Sequence, residues 1–126
     1  MDIDRGSATL ERPVTESDTA AAWGAEFPAA ASTPFVLGLA EVACHCAVRE
    51  DLAENEITVG TGAVIEHLAP TPVGRTLTVH ARLVGREGRK LQFVVEVQDG
   101  ERLAARVEHT RAVVDRQAIM SRLESR

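Results

Sequence analysis

Residues 32 to 48 read Ser32-Thr33-Pro34-Phe35-Val36-Leu37-Gly38-Leu39-Ala40-Glu41-Val42-Ala43-Cys44-His45-Cys46-Ala47-Val48. A hydroxyl residue followed by proline supplies an N-cap and a first helical position where the missing N–H of proline does no harm. The apolar run that follows predicts a helix from residue 34 to about residue 50. Its apolar residues fall on two stripes, Phe35-Leu39-Val42-Cys46 and Leu37-Ala40-Cys44-Val48, which take up most of the helix circumference. Such a helix is expected to be buried, not laid on a surface.

Downstream, four segments rich in β-branched residues follow in close succession: ITVGTGAVIEHL (57–68), RTLTVHARLVG (75–85), KLQFVVEVQ (90–98) and RLAARVEHTRAVV (102–114). They predict four strands. Leu77-Val79-Ala81-Leu83 and Leu91-Phe93-Val95-Val97 alternate with polar neighbours, so one sheet face is expected to be covered and the other wetter. Residues 69–74 read as a loop, Gly85-Arg86-Glu87-Gly88 as a hairpin turn, and Asp99-Gly100 as a type I′ hairpin, which predicts strands paired antiparallel in sequence order. Upstream, residues 1–19 are polar and weakly specified, with Leu10 and Val14 suggesting a short strand. Residues 20–31, alanine-rich around Trp23, Phe27 and Pro28, read as a short helix or a flap. Residues 115–126 read as a polar helical tail. The class is therefore α+β in one domain, 1–126: an antiparallel sheet wrapped around one long central helix.

Composition removes several functions. The 126 residues are 44% hydrophobic and 26% charged, enough for one core, and 14 Lys+Arg against 19 Asp+Glu give a formal net charge of −5. That balance offers no basic surface for a nucleic-acid backbone, and aromatics at 3% offer no stacking platform. The opening MDIDRGSATLERPVTESDTA lacks a signal or transit pattern, and no run approaches the ~20 apolar residues of a membrane span, so a cytoplasmic protein is expected. Cys44-His45-Cys46 does not read as a metal site, because residues two apart on a helix project about 200° from each other. No GxGxxG, P-loop, GxSxG or HExxH pattern is present.

A few residues break the apolar patterns. Glu41 is the only polar side chain between Phe35 and Cys44. A carboxylate there needs a partner or a wet cleft, or it belongs to a solvated i, i+4, i+8 line with His45 and Arg49. His67 shares parity with Val59, Ala63 and Ile65, and it reads either as a site histidine or as a core-edge residue satisfied by a carbonyl. Gly60 and Gly62 weaken a strand unless something must approach closely. His109 and Arg111 fall in register with Leu103, Ala105, Val107 and Val113; a cation at that end either binds an anion or carbonyl or snorkels to solvent.

The segment Thr33 to Cys44 resembles the central helix of the fluoroacetyl-CoA thioesterase family, within the hot-dog fold superfamily. The similarity continues through Thr-x7-Glu (Thr33, Glu41), GTGAVIEHLAPTPVG with His67, VGREGRK at residues 84–90, and HTRAVV at residues 109–114, covering roughly residues 26–114. The resemblance implies a hot-dog fold and hydrolysis of short acyl-CoA thioesters, with Thr33, Glu41 and His67 as the catalytic set. It implies substrate contacts at Phe27, Phe35, Gly60 and Arg111, no metal, and no cofactor, since CoA is part of the substrate. It further implies a homodimer carrying two sites at the subunit interface, with pairing of dimers into a tetramer left open. The member that handles the fluorinated substrate has two flap phenylalanines; Phe27 matches one, but Gly24 stands at the other, beside Trp23. A thioesterase for small or short-chain acyl groups is therefore the expectation, with fluoro-selectivity not implied.

The chemistry has a physical basis. A thioester carbonyl against a helix N-terminus meets free N–H groups that stabilise an oxyanion. Glu41 then serves as nucleophile or as general base on water, and His67 transfers protons or orients the attacking group. Thr33 and Glu41 lie eight positions apart, about 12 Å along a helix, which contributions from two subunits would reconcile. Arg75, Arg86, Arg89 and Lys90 are the candidates for the CoA diphosphate. The competing readings are a non-catalytic hot-dog module that binds acyl-CoA or a similar hydrophobic ligand, and an enoyl-CoA hydratase, whose Asp and His motif is absent.

Overall fold

A computed structural model describes residues 6–125. Five strands form a single antiparallel sheet in the order β1-β3-β4-β5-β2, where β1 is Ser7–Pro13, β2 Glu56–His67, β3 Thr76–Glu87, β4 Lys90–Asp99 and β5 Arg102–Asp115. The long helix α1, Thr33–Val48, lies against one face of the sheet, and a short helix α2, Arg116–Glu124, follows β5. Among the described residues no helix is long and apolar enough to cross a membrane.

The helix begins where its capping chemistry places it. Ser32 is the N-cap, its hydroxyl accepting from Phe35 N at 3.2 Å, so α1 starts at Thr33, one residue before the expected proline. It runs to Val48 and tightens into a 3₁₀ turn at Arg49–Asp51. Val36, Leu39, Ala40, Ala43, Cys44, Ala47 and Val48 are buried against the inward rows of β3 and β4, Leu77-Val79-Ala81-Leu83 and Leu91-Phe93-Val95-Val97. Each fully buried Leu, Val or Phe there contributes about 1.5–3 kcal/mol. The expectation of a buried helix is corrected on one side, the side of the Glu41-His45-Arg49 line: Gly38, Glu41, Val42, His45, Cys46 and Arg49 line an open groove with Ile57, Thr58 and Arg111.

The strand order also departs from the sequence-order expectation. β3, β4 and β5 are consecutive hairpins, but β2 crosses to the far side and pairs with β5, while β1 pairs with β3 at the opposite edge. Both hairpins turn through two residues with glycine first: Gly88-Arg89 between paired Glu87 and Lys90, and Gly100-Glu101 between paired Asp99 and Arg102. Gly88 and Gly100 have φ of 62°, and among the described residues no non-glycine residue has positive φ, which is the type II′ pattern instead of I′. Each hairpin thus sits one to three residues later than the sequence signal suggested.

Two irregularities shape the region around α1. On β2, pairing with β5 slips between Gly60 and Gly62, leaving Thr61 as the extra residue of a bulge. On β5, a second slip opposite Val97 and Gln98 makes Ala104 extra, and its carbonyl accepts from Leu68 N at 2.8 Å and Ala69 N at 3.1 Å, tying down the chain after β2. Ahead of α1, residues 19–31 form a loop clasped at its base by Ala20 N to Ala30 O, 2.9 Å, and Ser32 N to Asp18 O, 3.0 Å. Its tip projects Trp23 and Phe27, 73% and 50% exposed.

Candidate active site

Two clusters of polar side chains sit on α1, one at its N-terminus and one in the groove. At the N-terminus, Thr33 Oγ1 lies 2.8 Å from His67 Nδ1. The helix start supplies Thr33, the end of β2 supplies His67, and the Ala104 tether fixes that end of the strand. Burial pushes the His67 imidazole below its ordinary pKa, so the ring is neutral at neutral pH and one nitrogen carries a free lone pair. His67 Nε2 is buried and, alone among buried side-chain polar atoms of the described residues, has no hydrogen-bond partner.

In the groove, Glu41 extends from α1 toward β2 and β5. Its Oε1 lies 3.3 Å from Arg111 Nη1 and 3.5 Å from His109 Nε2, and the side chain remains 44% exposed. Arg111 does not snorkel: its guanidinium is buried, with Nε donating to Thr58 Oγ1 at 2.8 Å and Nη2 to Thr58 O at 2.9 Å. His109, 3% exposed, has Nδ1 2.8 Å from Gly62 O and Nε2 3.1 Å from Arg111 Nη1. A carbonyl only accepts, so His109 carries its proton on Nδ1 and offers Nε2 as an acceptor to the arginine. Burial holds His109 below its ordinary pKa, consistent with that neutral form.

Gly60 has a steric reason. A Cβ there would fall inside contact distance of Glu41 Oε1, 3.2 Å from His109 Cε1 and 3.3 Å from Arg111 Nη1. Gly62 has none, since a Cβ there would meet nothing within 4 Å; its part is the bulge and the carbonyl offered to His109. Cys44, beside this cluster, is no nucleophile, because burial pushes its thiol up to about 12.

The residues singled out from sequence therefore fall in four places. Thr33 pairs with His67, and Glu41 meets Arg111 over Gly60. Phe27 stands on the loop tip, its ring where a Cβ at Gly24 would contact it at 3.2 Å. Phe35 packs against the core with the Arg12 guanidinium 5.9 Å from its ring centroid, on a different side of α1 from the groove. The basic candidates are also dispersed: Arg75 pairs with Asp99 at 2.7 Å, and Arg89 lies 3.5 Å from Glu56. Arg75 and Arg86 stand at opposite ends of β3, about 35 Å apart for an extended strand. Sequence reading left Thr58 unnoticed, because a threonine in a strand carries no signal, and placed His45 on a polar line with Glu41 and in the Cys44-His45-Cys46 stretch rejected as a metal site.

The family described as fluoroacetyl-CoA-specific thioesterase matches residues 14–117. The fluoroacetyl-CoA thioesterase of Streptantibioticus cattleyicolor is 41% identical over 90 residues, 71% of this chain and 65% of that protein's length. The crystal structure of a mutant fluoroacetyl-CoA-specific thioesterase in complex with fluoroacetate and CoA superimposes with a TM-score of 0.87 at 32% identity, covering 93% of this chain and 96% of that one. A hot-dog-like protein from Thermanaerovibrio acidaminovorans, 20% identical, gives a TM-score of 0.86 over 94% of this chain and 88% of its own, and shows the hot-dog fold.

Proposed function

The chain belongs to the fluoroacetyl-CoA-specific thioesterase family, and from that premise we propose that it hydrolyses acyl-CoA thioesters with small or short acyl groups to the free acid and CoA. The observation that carries this reading is the Thr33–His67 pair at 2.8 Å on the N-terminus of α1, on the same helix as the Glu41 carboxylate. Pro34 has no N–H, and those of Phe35 and Val36 are taken by Ser32, so the Thr33 N–H and hydroxyl, with the helix dipole, stabilise the oxyanion that forms when the thioester carbonyl is attacked. Attack comes from Glu41 itself or from a water that Glu41 deprotonates; either route breaks the C–S bond, consumes one water and delivers a proton to the departing thiolate. His67, neutral and hydrogen-bonded to Thr33, is suited to move that proton.

A single α1 holds Thr33 and Glu41 about 12 Å apart, too far for one carbonyl. The proposed active unit is a homodimer that completes each site with Thr33 and His67 from one protomer and Glu41 and Arg111 from its partner. The outer edge of β2, which among the described residues pairs only with β5, and the open groove face of α1 support this arrangement. Gly24 in place of a second flap aromatic leaves the loop tip to Trp23 and Phe27, which favours a preference for small acyl groups in general over fluoroacetyl alone.

The test is thiol release from acetyl- through octanoyl-CoA, phenylacetyl-CoA and fluoroacetyl-CoA by wild type and Glu41→Gln. Turnover that requires Glu41 is the expected result. Binding of acyl-CoA by folded protein without thiol release would replace the reading with a non-catalytic acyl-CoA-binding module.

A further inference from the structure

The groove contains a hydrogen-bond chain that starts from an obligate donor, Arg111. Arg111 only donates, so Thr58 Oγ1 accepts from its Nε at 2.8 Å and Thr58 O accepts from its Nη2 at 2.9 Å. One residue thus grips two edges of the guanidinium, and the third edge, Nη1, faces Glu41 and His109. The Thr58 hydroxyl proton needs its own acceptor. The other side-chain partner of Thr58 Oγ1 among the described residues is His45 Nδ1, at 2.6 Å. With Thr58 buried, donation to an unprotonated His45 Nδ1 is the arrangement that gives its hydroxyl proton a partner.

We propose that His45 is a positioning residue: by accepting the Thr58 hydroxyl proton it turns the oxygen lone pair toward Arg111 and fixes the guanidinium against Glu41. Its bearing on turnover rests on the thioesterase reading; its bearing on Arg111 does not. His45 is also sensitive to protonation. A second proton converts Nδ1 from acceptor to donor, leaves the Thr58 hydroxyl proton without a partner, and adds a cation to a site that already holds one. The ionisable groups around it are Glu41 and Arg49, one helical turn away on either side along α1, and Arg111 and His109 from β5; β2 contributes the uncharged Thr58. Burial, Arg111 and Arg49 all hold His45 below its ordinary pKa, in the neutral form from which one nitrogen can accept.

The experiment combines kinetics with the ¹⁵N–¹H signal of Arg111 Nε, which reports the clamp without reference to turnover. His45→Ala and Thr58→Val are each expected to lose that signal to solvent exchange and to lower kcat about tenfold. The double variant is expected to be no slower than either single one, because both break the same chain. His45→Asn, which keeps an acceptor but does not titrate, is expected to recover the signal and the rate, and to remove the His45 contribution to the acid limb of the pH profile. An unchanged Arg111 signal in His45→Ala, or a double variant slowed about a hundredfold as for independent sites, would overturn the inference. Wild type without thiol release would sink the thioesterase reading alone, and the signal would still decide the role of His45.

Discussion

Gly60→Ala tests whether the Glu41 carboxylate occupies the space over β2 that the missing side chain leaves. The new methyl meets three neighbours: Glu41 Oε1 within contact distance, His109 Cε1 at 3.2 Å and Arg111 Nη1 at 3.3 Å. His109 and Arg111 are buried and anchored by hydrogen bonds of 2.8–2.9 Å to Gly62 and Thr58, so neither yields easily. Glu41 is 44% exposed and flexible, and it is the group that moves. Overpacking of this kind costs about 1–3 kcal/mol when the neighbours are rigid; with a side chain free to swing out, the lower end is expected, near 1 kcal/mol. The lost Glu41–Arg111 contact adds little, since a half-exposed ion pair is worth about 0.2–1 kcal/mol. Turnover suffers more, because a carboxylate displaced by about 1 Å from its working position loses on the order of a hundredfold. Urea unfolding and kcat are measured in Gly60→Ala, Glu41→Ala and the double variant. The stability loss should shrink once Glu41 is truncated, since the principal clash is gone. Wild-type turnover in Gly60→Ala, or the same destabilisation with and without Glu41, would refute the reasoning.

Three further outcomes are expected. Ser32→Ala removes the N-cap of α1 and should lower unfolding free energy by about 1 kcal/mol in urea titrations. His45, His67 and His109 all have folded pKa values depressed by burial. The unfolded chain therefore takes up protons that the folded chain refuses as pH falls through about 6.5, so unfolding midpoints should drop between pH 7.5 and pH 5.5 and level off above; a midpoint that rises toward pH 5.5 would contradict the assignment of neutral rings. Mixing inactive Glu41→Gln with inactive His67→Ala under subunit exchange should restore about a quarter of wild-type turnover, since half of the dimers are mixed and each mixed dimer has one intact site. No recovery would place both residues of one site on the same protomer.

Much of this fold was legible because its signals are local. The Ser-Thr-Pro start of α1 and the alternation of Leu77 to Leu83 and Leu91 to Val97 depend on neighbours within a few residues, and each element lies within a few positions of its reading. Strand partnership is different. Period-two alternation says which face a residue takes, not which strand lies beside it, so the crossing of β2 to β5 had no trace in the sequence. The register of Leu103 failed for a related reason: the bulge at Ala104 buries two successive alanines and shifts the parity of everything before them. In the site, Glu41, His67 and Arg111 stood out as polar residues in apolar patterns. Thr58 and His45 did not, because a threonine on a strand and a histidine on a polar helix line are ordinary until the arginine between them is seen to need an acceptor.

The placement of Arg111 explains why a carboxylate is tolerated on a helix this apolar. Without the arginine, Glu41 would face the unprotonated Nε2 of a buried histidine whose proton on Nδ1 goes to Gly62 O, and two acceptors would oppose each other. With it, one guanidinium satisfies Thr58, His109 and Glu41 together, and the sole mobile member is the half-exposed carboxylate. A buried, anchored cation beside a half-exposed carboxylate at the mouth of a groove leaves the carboxylate open to the groove while the positive charge stays in place. Arg111→Lys keeps the charge but cannot reach both oxygens of Thr58 in one plane. The same logic makes Thr58, not Glu41, the residue whose loss would disorder the arginine.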